Sequence, residues 1–489
     1  MMKPLYSLAK LRELELQHQA AGLIEQAGLA AANFSKQLLG LDGDAVLVMV
    51  GPGNNGGDAL VAARYLKTWW HRVTVVFTGQ RNRLPQDAAH AYEAWLACGG
   101  EVLTEIPAGQ RWHLLIDGLF GIGLQRDLDA HYRDLIATIN QLQIPILSLD
   151  IPSGLCMRTG RVLDTAIRAD HTLTFIGLKP GLFTLDGPDH AGHVQLADLG
   201  IDAGYSQGSL LDDVPAMLRP RKLNSHKGSN GSVGVIGGAE QMVGAALLAG
   251  RAALLLGAGR VYCGVLAQQA PAVDEAQPEL MLRQAESLMA GEALAVLAVG
   301  PGMGQSAAAA ALLEQALRSS PLLLLDADAL NLVAGNAALR RLLQQRQAGT
   351  TVITPHPGEA ATLLVCSTQE IQQDRVVSAL KLAVDLGVVT VLKGCGSVIA
   401  LPDGRWYINH SGNPGLASAG MGDTLAGMIA ALAAQGLSLE QATLLGVYLH
   451  GRAADDLVAQ GIGPIGLTAS EVAHHARTLL NRWVKESGN

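Results

Sequence analysis

The sequence is poor in cysteine, in charge and in uninterrupted apolar runs. Its five cysteines (Cys98, Cys156, Cys263, Cys366 and Cys395) are scattered and form no C-x-x-C pair. That argues against a disulfide framework or a zinc site and suits a reducing cytoplasm. Charged residues make up 16% and the net charge is −8. No electrostatic footprint for nucleic acid exists, so no such partner is expected. The longest apolar stretches, such as "MVGAALLAGRAALLLGAG", are broken by Arg251 and by glycines. They predict buried helices rather than membrane spans. The opening "MMKPLYSLAKLRELELQHQ" sets Arg12, Glu13 and Glu15 in its first turns and has no apolar core of the signal-peptide type. A cytoplasmic protein without a membrane partner is the expectation.

What is present is apolar sequence and glycine. Hydrophobic residues make up 49% of 489, enough for two or three buried cores. The 57 glycines exceed the usual ~7% and sit between apolar runs, as in turn-rich α/β proteins. Residues 5 to 39 read as one or two amphipathic helices. Then "AVLVMV", "VTVVF", "HLLIDG" and "PILSLD" alternate with helical patterns, and "HTLTFIG" and "HVQLAD" extend the series. Continuous apolar strands joined by crossover helices predict a parallel sheet covered on both faces. The mixed stretch Ala203 to Gly231 breaks the rhythm and marks a boundary. A second alternation follows: "SVGVIGG", "GRVYCGV", "LAVLAVG", "PLLLLD", "TVITP" and "VVTVLK". Around Pro-Asp-Gly, "SVIALPDGRWYIN" carries a hairpin signal. No internal repeat relates the halves. The reading is α/β, two three-layer α/β/α domains over 1–210 and 222–489. The scarcity of charge and the apolar helices suggest a homo-oligomer.

Ligands of open parallel sheets bind beyond the carboxyl ends of the strands. "GPGNNGGD" follows the first strand, where glycines and a helix N-terminus suit an anion. Gly51 and Gly53 also read as ordinary turn formers, and Asp58 as a helix cap. The loop is neither G-x-G-x-x-G nor a Walker loop. "DGLFGIGLQRD" after the third strand run holds Asp117, and "DIPSG" after the fourth holds Asp150 and Ser153. Several tips of one sheet thus carry polar groups. Asn55, Asp117 and Ser153 offer oxygen ligands of little net charge, better suited to a hard cation than to zinc.

"GPGNNGGDAL", "DGLFGIGL", "DIPSGL" and "FIGLKPGLFT", in this order, resemble the NAD(P)H-hydrate epimerase domain over most of residues 1 to 210. The resemblance implies a Rossmann-like sheet. It implies that Asn54, Asn55, Gly56, Gly57 and Asp58 hold the dinucleotide together with Gly121, Ile122, Gly123, Leu124, Gln125, Arg126 and Asp127. It also implies K⁺ at Asn55, Asp117 and Ser153, and Asp150 against the hydrated nicotinamide ring. Ala59 departs from the pattern, which commonly has glycine there; its methyl group is expected to tighten the phosphate loop.

In the second half, "GNPGLASAGMGDTLAG" sets Gly420, Gly422 and Asp423 ahead of an apolar helix. Backbone N–H groups at such a helix start hold a transferring phosphoryl group, and a carboxylate beside them takes the proton of the attacking hydroxyl. The plainer reading of Asp423 is a helix cap. In "TPHPGE", Pro357 and Glu359 are ordinary helix-start chemistry, and His356 is either structural or a ligand contact. In "LKGCGS", Lys393 reads as a nucleotide-phosphate partner or a surface lysine. "DADALN" presents two carboxylates, Asp326 and Asp328, one of them a candidate for Mg²⁺-nucleotide.

These motifs, with "HKGSNGSVGVIGG", "QPELML" and "GPGMG", resemble the ribokinase-like superfamily, and within it the ADP-dependent NAD(P)H-hydrate dehydratase, across residues 222 to 480. The resemblance implies that Ala246, Gly302 and His356 line the hydrate site. Lys393, Gly394, Cys395, Gly396, Ser397 and Gly422 would bind the adenine nucleotide, with Asp423 the general base, Mg²⁺ present and ADP the co-substrate. The expected whole is a two-step repair enzyme for NADHX and NADPHX. Epimerisation at C6 would precede dehydration of the S form by way of a C6 phosphate, releasing AMP and phosphate. Two alternatives stay open: a vitamin-precursor kinase in the second half, and a non-catalytic binding module in the first.

Overall fold

The computed structural model describes the chain except residues 1, 19–21, 42, 125, 215, 216, 219, 292, 320, 488 and 489. It divides into one compact unit of residues 4–206 and another of residues 1–3 with 207–489. No helix among the described residues is long and apolar enough to cross a membrane.

The first unit begins with helices α1 (Leu8–Gln17) and α2 (Leu23–Leu39). Then come β1 (Ala45–Val50), α3 (Asn54–Thr68), β2 (Arg72–Phe77), α4 (Gln86–Ala97), β3 (Val102–Leu103), β4 (Leu114–Gly118), α5 (Ala130–Asn140), β5 (Ile146–Leu149), β6 (His171–Phe175) and β7 (His193–Ala197). The sheet order is β3-β2-β1-β4-β5-β6-β7, with every pairing parallel. Every residue of β1 and β4 is buried, which is why these strands read as unbroken apolar runs. The chain moves outward from β1 to β3, then returns to β4 on the other side of β1. The switch point, where such sheets bind ligands, lies between β1 and β4.

The second unit contains β8 (Gly208–Leu211), β9 (Ser232–Gly237), α6 (Val243–Leu255), β10 (Arg260–Val265), β11 (Met281–Gln284), β12 (Val296–Val299), β13 (Leu322–Leu325), α7 (Asp328–Gly335), β14 (Thr351–Ile353), α8 (Pro357–Leu364), α9 (Arg375–Leu386), β15 (Val389–Leu392), β16 (Val398–Ala400), β17 (Trp406–Asn409), α10 (Met421–Ala434) and α11 (Leu439–Ala459). Its sheet has eleven strands among the described residues. An outermost strand starting at Lys3 is followed by β8-β17-β16-β15-β14-β13-β12-β9-β10-β11. Pairing is parallel from β11 through β15. The hairpin read at Pro-Asp-Gly is present: β16 runs antiparallel to both β15 and β17. The switch point here falls between β9 and β12.

Besides the outermost strand at Lys3–Leu5, three short strands carried no sequence signal. Val102–Leu103 is two residues long. Gly208–Leu211 lies inside the stretch read as a boundary and is a strand because it pairs with β17. Met281–Gln284 follows "QPEL" and pairs with β10 at the sheet edge. Each owes its conformation to a neighbour rather than to periodicity.

Helices α6 and α10 are apolar nearly all round, as buried helices are. They meet where Gly427 of α10 lies against Ala249 and Ala252 of α6, and Ala246, Ala253, Ala426, Ala430 and Ala431 belong to the same buried core. A Cβ at Gly427 would overlap the Ala249 carbonyl oxygen, so the crossing is set by a missing side chain. Gly427→Ala is expected to destabilise the second unit by about 1–3 kcal/mol through overpacking. Chemical denaturation followed unit by unit checks this: the first unit's transition should stay in place.

Candidate active sites at the two switch points

In the first unit, α3 starts at Asn54 after an extended Gly53, and no side chain caps it. The cap expected of Asp58 is therefore not made; Asp58 lies inside the helix, one turn on. Asn-Asn-Gly-Gly is a weak helix former, but packing holds it helical. A Cβ at Gly56 would overlap the Gly51 carbonyl oxygen, and one at Gly57 would overlap Ile24. The two glycines thus serve packing, and the uncapped N–H groups are left for an anion. The Ala59 methyl group is buried and sits where a Cβ on Gly118 would overlap it. It packs against β4 and does not enter the loop.

Asp117, Ser153 and Asn55 converge, as the sequence suggested. Fully buried Asp117 accepts hydrogen bonds from Ser148 Oγ (2.8 Å), Ser153 N (2.9 Å), Ser153 Oγ (2.6 Å) and Leu119 N (3.2 Å). Burial raises its carboxyl above the usual range, and these donors pull the other way. Ser153 Oγ accepts from Phe120 N (2.8 Å), and Asn55 Nδ2 donates to Phe120 O (3.0 Å). Asn55 Oδ1 is buried with no partner. An orphaned amide oxygen beside a backbone carbonyl, a serine and a buried carboxylate fits a hard, weakly charged cation.

Asp150 follows β5 with φ +67°, a sparsely populated conformation that clusters at functional sites. Its Oδ1 accepts from Phe175 N (3.3 Å) and from Lys179 Nζ. Lys179 is 1% exposed and also donates to Thr174 Oγ1 (2.7 Å) and Phe175 O (2.8 Å). A cavity of about 960 Å³ joins Asn54, Asn55, Asp58, Gly121 to Leu124, Arg126, Asp150 and Lys179. A Cβ on Gly121 would stand 3.5 Å from Asp150 Oδ2, so this loop meets the carboxylate. Gly56, Gly57 and Asp127 do not line the cavity, and Gln125 lies outside the described residues.

In the second unit, Gly420 is the residue before α10, at φ +84°, and no side chain caps the helix. Asp423 therefore is not the cap, and no hydrogen bond or ion pair holds its carboxylate among the described residues. Burial and the Asp326 charge push its carboxyl up to about 6, against a lowering by Lys393. Lys393 is not a surface lysine. Its Nζ pairs with Asp326 Oδ1 (2.8 Å), which also accepts from Thr354 Oγ1 (2.8 Å). A Cβ on Gly422 would stand 3.3 Å from Lys393 Nζ. Ala327, at φ 49° and ψ −118°, turns the two flanking carboxylates apart. Asp326 goes to Lys393, while Asp328 accepts from Gly304 N (2.9 Å) and fixes the "GPGMG" turn.

His356 caps α8: its Nδ1 accepts from Gly358 N (2.9 Å), and Glu359 Oε2 accepts from His356 N (2.8 Å). Pro357 opens that helix, as expected. The His356 Nε2, 3.3 Å from Glu359 Oε1, stays on an exposed ring. Ala246 is fully buried; Gly302 lies over the start of α6, where a Cβ would stand 2.8 Å from Met242 O. Gly394 to Ser397 form a closed turn, Gly394 N donating to Ser397 Oγ (3.2 Å), with Cys395 exposed. Buried Arg375 supports it from behind through Leu392 O (3.2 Å) and Lys393 O (3.3 Å). No group of three metal-ligating His, Cys, Asp or Glu occurs among the described residues. Mg²⁺ arriving with a nucleotide needs only one or two carboxylates, and Asp326 is the buried one facing Gly422.

Sequence reasoning missed Lys179, Glu15, Arg12 and Arg375, whereas Glu359 sits at its helix start as read. Lys179 lay within a quoted motif, but its partner is 29 residues away. Arg12 and Glu15 belong to a helix that precedes the sheet, outside the strand-end rule.

A family model described as NAD(P)H-hydrate dehydratase matches residues 233–475, and one described as YjeF-related protein N-terminus matches 20–181. The chain is 38% identical to a bifunctional NAD(P)H-hydrate repair enzyme of Escherichia coli, over 91% of this chain and 86% of that one. It is 38% identical to one of Coxiella burnetii over 98% and 100%. Among solved structures, a Bacillus subtilis ADP/ATP-dependent NAD(P)H-hydrate dehydratase co-crystallised with ATP and Mg²⁺ aligns at 29% identity and a TM-score of 0.47, covering 54% of this chain and 94% of that one.

The Asp423 carboxyl should titrate near pH 6. Lys393→Met removes the cation that lowers it and unmasks the Asp326 charge, so the midpoint should move up. NMR of carboxyl carbons in aspartate-labelled protein reads the shift; an unchanged or lower midpoint contradicts this electrostatic assignment.

Proposed function

The chain belongs to the family of bifunctional NAD(P)H-hydrate repair enzymes, and on that premise we propose how its two units divide the reaction. The first unit, residues 4–206, exchanges the R and S forms of NADHX and NADPHX. The second, which holds residues 207–489, dehydrates the S form with ADP. The observation that carries the reading is Asp423: an uncapped, half-buried carboxylate at a glycine-rich helix start, beside a lysine, with its carboxyl near 6.

Hydroxide is a poor leaving group, which is the reason to consume a nucleotide. Asp423 takes the proton of the C6 hydroxyl as that oxygen attacks the terminal phosphorus of ADP. The N–H groups of the α10 start receive the redistributing phosphoryl charge. Lys393, Gly394, Cys395, Gly396, Ser397 and Gly422 hold the nucleotide, and His356 and Gly302 form the hydrate side, whereas Ala246, fully buried, belongs to the packing beneath. AMP leaves. Loss of phosphate from C6 with a proton from C5 restores the C5–C6 double bond. Mg²⁺, if bound with the nucleotide near Asp326, would neutralise phosphate charge.

In the first unit, the α3 N-terminus and the Gly121 to Leu124 loop hold the dinucleotide, and Asp150 faces the hydrated ring. Exchange at C6 follows if Asp150 takes the hydroxyl proton, C6 becomes a carbonyl and the C6–N1 bond opens. Rotation and reclosure give the other epimer. Lys179 holds Asp150 in place. Asn55, Asp117, Ser153 and the Phe120 carbonyl would hold K⁺, which would fix the loop beside the substrate. Five free cysteines favour a reducing cytoplasm, and a homo-oligomer remains part of the proposal.

Recovery of 340 nm absorbance from a mixture of R and S NADHX with K⁺, Mg²⁺ and ADP tests the reading. Complete recovery is expected. A stall at the S fraction removes the epimerase; no recovery with ADP or ATP points to a vitamin-precursor kinase instead. Asp150→Asn should abolish exchange and leave S-form dehydration intact. Asp423→Asn should slow dehydration by roughly 10²–10⁴-fold. Because Asp423 must be ionised to accept a proton, dehydration should fall as pH drops through about 6.

A further inference from the structure

Helix α1 carries two interleaved pairs. Leu11 and Leu14 are 1% and 4% exposed and pin the helix to the unit. Arg12 and Glu15 follow each by one residue, about 100° further round, and both line the cavity. Ser7 caps α1, and the Tyr6 hydroxyl donates to Gly204 O (2.6 Å) just before it. Arg12 reaches the opposing loop, where a Cβ on Gly123 would stand 3.3 Å from its Nη2.

Opening the C6–N1 bond needs two proton movements. One proton leaves the C6 hydroxyl and one must reach N1. Asp150 accounts for the first. Lys179 does not supply the second, because its three hydrogens already go to Asp150, Thr174 and Phe175 and an ammonium has only three. Arginine does not give up its proton, which removes Arg12 and Arg126.

We propose that Glu15, on α1, is the second proton-transfer residue of the epimerase, acting across the cavity from Asp150. This rests on the epimerase reading above. In the forward step the Asp150 carboxylate takes the hydroxyl proton, the O–H pair forms the C6 carbonyl, and the C6–N1 pair moves to N1. There it takes the proton of the Glu15 carboxylic acid. Reclosure on the other face returns both protons, so nothing is consumed. Glu15 is half-buried. Burial raises its carboxyl, the Asp150 charge raises it further, and Arg12 and Lys179 oppose this. Burial and the Asp150 charge thus favour the protonated form that a donor needs. Asp58 also lines the cavity and is raised well above the usual range by burial and by the Asp150 and Glu15 charges, but it stands one turn into α3, in the stretch assigned to the dinucleotide.

The test uses the full-length enzyme, with R-to-S exchange and S-form dehydration measured separately. Glu15→Gln should cut kcat for exchange by about 10²–10⁴-fold with KM changed less than roughly twofold. Dehydration should be untouched. Wild-type exchange should fall as pH rises through the raised Glu15 midpoint; Glu15→Gln should lack that limb, and Glu15→Asp should keep a displaced one. The thermal transition of the first unit checks folding of each variant. Exchange within roughly twofold of wild type in Glu15→Gln, or a loss confined to KM, overturns the proposal while the epimerase reading stands. A wild-type enzyme that does not accelerate exchange overturns both.

Discussion

Both sheets are closed at their carboxyl ends by backbone against backbone. The glycine after β1 faces the Leu119 carbonyl after β4 so closely that any Cβ would overlap it. Gly237 at the end of β9 meets the Pro301 carbonyl, and Gly300 after β12 meets that of Asp326. A parallel sheet opens a crevice where its strand order reverses. Here the crevice walls are locked at main-chain distance, so side chains on neighbouring loops are placed without mobile linkers. The tight geometry around Asp117 and Asp326 depends on this. A methyl group at any of the three glycines would part the strand ends before it changed a single polar contact.

Within that frame each unit buries a carboxylate and compensates it differently. Asp117 relies on four neutral donors, whereas Asp326 relies on a lysine and a threonine. An unpaired buried charge is too costly to persist. The neutral solution at Asp117 leaves its surroundings without a positive charge, and Asn55 Oδ1 is orphaned beside it. A cation is therefore the natural complement at that place. At Asp326 the lysine already fills this role.

The architecture was legible because a buried parallel strand announces itself as an apolar run. Each run quoted in either half is a strand, and so is the hairpin at Pro-Asp-Gly. The site loops were legible because glycine and carboxylate at strand ends are rare without a reason. Asp58 misled because Asn-Asn-Gly-Gly reads as loop, whereas packing of Gly56 and Gly57 draws it into a helix. Lys179, Arg375 and the α1 pair were hidden for another reason. Their significance lies in partners 29 residues away or more, or at Arg375 in carbonyls 17 and 18 residues on. Nothing local marks a lysine that will be 1% exposed.

The two lysines also explain why the proton-handling groups differ. In the first unit the lysine bonds directly to Asp150, so that carboxylate is oriented by its own counter-ion. In the second, the lysine bonds to Asp326, and Asp423 stands next to that pair without joining it. Asp423 then feels a negative neighbour and a positive one together with burial, and its carboxyl settles near 6. A directly paired carboxylate would be a weaker base, because a bonded cation stabilises the ionised form. Leaving Asp423 one step removed, with its carboxyl near 6, strikes the balance that the general-base role proposed for it would require.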